Sequence, residues 1–66
     1  MLLELHTNKN GSGLKELFVD PTQVESIEEI SGVYTHSAVT LKSGVVFHVV
    51  ETALEVSEQI KKISGD

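Results

Sequence analysis

The most regular patterning in the chain lies in residues 38–50, AVTLKSGVVFHVV, where apolar positions alternate with others on either side of Lys42-Ser43-Gly44. A period of two, β-branched and aromatic flanks and a glycine in the break predict a β-hairpin. Turn length decides which side chains share a face. A two-residue loop at Ser43-Gly44 would set Leu41 against Val46 and Val39 against His48, mixing polar and apolar groups on both faces. A three-residue turn closed by a bulge at Gly44 sets Leu41 against Val45 and Val39 against Phe47, so that Val39, Leu41, Val45, Phe47 and Val49 form one apolar face. A uniform face specifies register, and the bulged turn is therefore expected.

The remaining elements are weaker signals of the same kinds. Residues 1–7 alternate Met1, Leu3, Leu5 against Leu2, Glu4, His6, the pattern of a half-buried strand. Residues 8–13, NKNGSG, collect turn formers and predict a loop to a second strand at 14–20. Apolar side chains on both sides of that strand suggest an inner position in the sheet. Asp20-Pro21 suits a capped helical turn, because proline lacks only a donor that has no partner there. In residues 24–31, VESIEEIS, the spacing of Val24, Ile27 and Ile30 is helical but the run is short. A strand at 25–31 is expected, with a short helix as the open alternative. Thr52-Ala53-Leu54-Glu55 is a capping box, and Ala53, Val56, Ile60 and Ile63 follow as an amphipathic stripe that Gly65 is placed to end. A helix of that length is marginal alone in water, so it should lie on the apolar face of the hairpin. The expected fold class is α+β: a small, mainly antiparallel sheet of three to five strands, flat or rolled, with one C-terminal helix on one face.

Sixty-six residues suggest one domain, with a thin core that no cysteine reinforces. No apolar run approaches a membrane span and the first residues lack a basic, apolar leader, so a soluble cytoplasmic protein without membrane insertion is expected. The net charge of −5 repels phosphates, and the aromatic residues Phe18, Tyr34 and Phe47 stand outside any basic run. Direct nucleic-acid binding is not expected.

Candidate chemistry is sparse. The GSG of the first loop has neither the lysine nor the helix of a phosphate-binding loop. His6, His36 and His48 each sit on a different predicted strand or strand end without a local metal-ligand spacing, and sheet histidines with a solvent or backbone partner are the expectation. No serine stands in a nucleophile setting. Neither enzyme activity nor a cofactor or metal is expected. Glu25, Glu28, Glu29, Glu51, Glu55 and Glu58 are a candidate acidic surface. In the bulged register Thr40, Val46, His48 and Val50 point away from the helix, and Val46 and Val50 are too apolar for a face meant only for water. Val46, His48 and Val50 are therefore the candidate interface, with a homo-oligomer as the expected consequence.

From residue 18 onward the chain resembles the small FlbD-type flagellar proteins, the SwrD swarming-motility family. The resemblance is carried by Phe18-Val19-Asp20-Pro21, Val24-Glu25-Ser26-Ile27-Glu28-Glu29, Val39-Thr40-Leu41-Lys42-Ser43-Gly44, Phe47-His48-Val49-Val50-Glu51, and Glu55-Val56 with Ile60. It implies a non-enzymatic accessory protein that supports bacterial motility through protein contacts, and it assigns no catalytic or ligand residue. A protein-interaction module with a protein partner of unknown identity is thus the first expectation. The alternative is a small acidic inhibitor of phage type, whose glutamates would occupy the basic nucleic-acid-binding site of a host protein. A continuous glutamate surface would favour the inhibitor, and scattered glutamates the module.

Overall fold

The computed structural model describes residues 1–65, Asn10 by its backbone only. Among the described residues five strands and one α-helix follow in the order β1 (Leu3–Thr7), β2 (Lys15–Val19), β3 (Val24–Glu29), β4 (Ser37–Leu41), β5 (Val46–Val49) and α1 (Ala53–Ser64). All strand pairs are antiparallel: β1 with β2 in one sheet, and β3-β4-β5 in another. The α+β class is as expected, but the strands divide between two sheets. Among the described residues no helix is long and apolar enough to cross a membrane.

The central hairpin has the bulged turn. Val39 faces Phe47 and Thr40 faces Val46, while the Leu41 N–H donates to the Val45 carbonyl at 2.8 Å and the Gly44 N–H to the Leu41 carbonyl at 2.9 Å. Gly44 has φ +94, a region in which a Cβ is strained. Asp20 caps a 3-10 turn at Pro21–Gln23 by accepting from the Thr22 N–H, and both the Thr22 N–H and hydroxyl hold its carboxyl below the usual carboxylate range.

Within 24–31 the strand is Val24–Glu29, ending two residues before the expected Ser31, and the spacing of Val24 and Ile27 has a simple cause. Val24 pairs with Leu41 but Ser26 with Thr40, so Glu25 is an extra residue in a β-bulge. That insertion lets Val24 and Ile27, three apart, both turn towards the core, where each is packed. Two expectations fail nearby. Among the described residues β2 pairs only with β1 and is an edge strand, so Phe18, opposite Glu4, is 54% exposed instead of enclosed on both sides. Met1 lies outside β1 and is exposed, leaving Leu3 and Leu5 as the buried side chains of that strand.

One core serves both sheets and the helix. Leu3 and Leu5 from β1, Val19 from β2, Val39 from β4, Val49 from β5 and Val56 from α1 enclose one another, with Ile60 and Ile63 against them. Each buried valine or leucine contributes about 1.5–3 kcal/mol relative to exposure. α1 has the expected capping box: the Thr52 hydroxyl accepts from the Glu55 N–H and the Glu55 carboxylate from the Thr52 N–H, while the Gly65 N–H closes the last turn. The helix lies chiefly against β3 and β1, one strand from each sheet, and not on the β4-β5 hairpin where it was expected.

Candidate functional site

Antiparallel pairing turns successive backbone N–H and C=O groups to alternate edges of a strand. The carbonyls of Val45 and Val49 accept from Leu41 and His36, on the β4 side, so the backbone groups of Val46, His48 and Val50 turn to the outer edge of β5. At Val50 that edge is closed, its N–H donating to the His6 carbonyl of β1 at 2.7 Å. Towards Val46 the first hairpin diverges from β5. Among the described residues no backbone partner meets the outer groups of Val46 and His48.

The divergence leaves a groove of about 770 Å³. Val46, Phe47 and His48 line one side, and Thr7, Lys15 and Leu17 the other. Leu17 and Phe47 also pack against the core, which puts apolar side chains at the bottom of the groove. Tyr34, from the segment joining β3 to β4, lines it as well and lies over the first loop. A Cβ on Gly11 would come within 2.7 Å of the Tyr34 ring, so only glycine permits that approach.

Four further polar contacts on residues 50 and 51 hold the closed end. The Glu51 carboxylate accepts from the His6 N–H at 2.8 Å and meets the Nδ1 of the same histidine at 2.6 Å. The His36 ring meets the Val50 carbonyl through Nδ1 at 2.8 Å; a carbonyl only accepts, so that nitrogen carries the proton. The buried Ser37 hydroxyl donates to the Glu51 carbonyl at 2.7 Å. The hydrogen bond to Glu51 raises the His6 imidazole above its ordinary value, against the lowering effect of burial, and the charges of Glu51, Glu4 and Glu16 add to the rise.

No protein-family model, curated protein or solved structure matches this chain.

The candidate residues of the sequence divide between these two places. Val46 is 50% exposed and His48 is exposed, both on the outer face, in rows with Thr40 and Ala38 of β4. Val50, in contrast, is partly buried and its N–H belongs to the closed end. The Glu51 side chain is only 14% exposed and is turned to His6. Glu55 is engaged in the helix cap, and Glu58 is exposed on α1. Glu25 occupies the bulge, and the neighbours Glu28 and Glu29 project to opposite faces of β3, across from Ala38 and Ser37. The six glutamates thus do not share a face. His36 has the backbone partner expected of a sheet histidine, whereas His6 is bound to a carboxylate. Among the described residues no three metal-ligating side chains converge. The sequence does not single out Tyr34, Lys15 or Leu17 as groove residues, since nothing local links them to β5.

Proposed function

We propose that this chain is a non-enzymatic protein-interaction module that acts through the hairpin β4-β5 and the free edge beside it. The observation that carries this reading is the open edge at Val46 and His48 next to a half-exposed valine: unpaired strand edges and apolar groups are what partner proteins cover. Self-association through the outer face, with Val46 at its centre, is the simplest form of the activity. Following the family resemblance, the module serves bacterial motility as a cytoplasmic accessory or regulatory protein. Against the acidic-inhibitor reading stand the opposed directions of Glu28 and Glu29 and the inward turn of Glu51.

Light scattering at micromolar concentration on the wild type and Val46→Glu tests the proposal. An oligomeric wild type beside a folded, monomeric variant is expected; a wild-type monomer at every concentration removes the homo-oligomer. Capture of a partner by the tagged wild type and equally by Val46→Glu would remove the outer face as the interface.

A further inference from the structure

We propose that the groove between β5 and the first hairpin takes a single extended peptide segment, which adds to the outer edge of β5 as a strand and presents acidic side chains to Lys9 and Lys15. The proposal rests on the interaction-module reading and names the partner chemistry at its open edge.

The edge supplies the backbone recognition. Val46 and His48 each turn a donor and an acceptor to the groove, the spacing an antiparallel or parallel strand satisfies at every second residue. Adding a strand in this way gives affinity through the main chain and specificity through alternate side chains. Because the peptide's side chains alternate, one set descends towards Leu17 and Phe47, which favours apolar residues there.

The shape selects a segment over a folded copy of this chain. The first hairpin forms an opposite wall through Thr7, Lys15 and Leu17, so the space beside β5 is bounded on both sides. Its 770 Å³ falls within the range of roughly 300–1,000 Å³ typical of ligand clefts, room for a few residues and not for a domain edge with its neighbours. A second copy can still cover the outer side-chain face, which is a different surface of the same strand.

Charge selects the peptide. The protein is acidic overall, with five lysines and ten carboxylate side chains, yet two of the lysines, Lys9 and Lys15, border this groove and Glu16 is its one acidic lining residue among the described residues. The same two lysines, with Thr7, also line a smaller adjoining hollow of about 280 Å³. This end of the groove is thus locally basic in a molecule whose long-range field is negative, an arrangement that matches carboxylates brought in by an otherwise apolar strand.

Tyr34 makes the site observable, because it is the sole tyrosine of a chain without tryptophan and it lines the groove. The probes are acetyl-Val-Glu-Val-Glu-Val-Glu-amide and its lysine counterpart, titrated against the full chain at neutral pH. The acidic peptide should change Tyr34 emission saturably, slow amide exchange at Val46 and His48, and bind about tenfold or more tightly than the basic one. Val46→Pro removes the outward N–H, along with the valine side chain and the freedom of φ, at the first residue of an edge strand where proline is tolerated. It should weaken the acidic peptide about tenfold, with a circular dichroism spectrum like that of the wild type. Lys9→Glu with Lys15→Glu should reverse the preference and serves as a second variant should Val46→Pro fold poorly. The proposal is overturned if neither peptide binds saturably at millimolar concentration, if binding survives Val46→Pro unchanged, if the charge reversal leaves the preference intact, or if the perturbed amides lie around Leu2 and Phe18. It is equally overturned if Val46→Pro abolishes a dimer and no peptide binds. The Val46→Glu experiment reads the outer side chains and the titration reads the backbone edge, so either can fail alone.

Discussion

Gly44 and Gly11 show two different reasons for the same residue. A Cβ at Gly44 would meet nothing within 4 Å, so its requirement is the backbone angle alone. Gly44→Ala should therefore lower stability by about 1 kcal/mol with the fold retained, as read by urea denaturation. An unchanged unfolding midpoint would contradict the positive-φ turn. At Gly11 a positive φ of +72 coincides with the Tyr34 ring within 2.8 Å of the added carbon. Gly11→Ala should accordingly displace Tyr34 and alter its fluorescence, an effect Gly44→Ala should not have. The first requirement is visible in the sequence as a turn between two alternating runs. The second is not, because the ring arrives from a distant segment.

Among the elements, α1 depends on its own first turn. Thr52→Ala removes the hydroxyl that accepts from the Glu55 N–H and should destabilise by about 1 kcal/mol, while Thr52→Ser keeps the acceptor and should recover most of the loss. Thermal denaturation of the three proteins measures this, and equal melting temperatures would refute the cap. β3 depends instead on its neighbour. Its apolar spacing of three is compatible with a helical turn until pairing with β4 places Glu25 in a bulge. The edge position of β2 is likewise decided by pairing: nothing in Leu14, Leu17, Phe18 or Val19 states that only β1 will flank it.

For the whole molecule, the contact between His6 and Glu51, 45 residues apart, ties the first hairpin to the turn that leads into α1. The folded state raises the His6 pKa above its ordinary value of 6.5. A group raised in this way contributes its full stabilisation below the unfolded pKa and loses it as pH rises through the folded one. The stability gap between the wild type and Glu51→Gln should therefore be widest near pH 6 and narrow as pH rises above the raised value. Thermal unfolding of both proteins between pH 6 and 9 measures it. A gap that widens with pH would show that His6 does not stabilise through its charged form.

What the sequence by itself determined were the features whose causes lie within a few residues of one another. The bulged hairpin register follows from alternation around Gly44, the helix and its cap from Thr52 to Glu55 and a stripe of period 3.6, and the half-exposed Val46 from the parity of its position. Each depends on backbone angles and side-chain periods that the local sequence dictates. Only the tertiary structure decided the division into two sheets, the inward turn of Glu51 and the groove. All three depend on how the first hairpin meets β5. That meeting is set by the shared burial of Leu3, Leu5, Val39, Val49 and Val56, side chains brought together from across the chain. Such burial is non-directional, so an apolar pattern shows that these residues will be enclosed without showing what will enclose them.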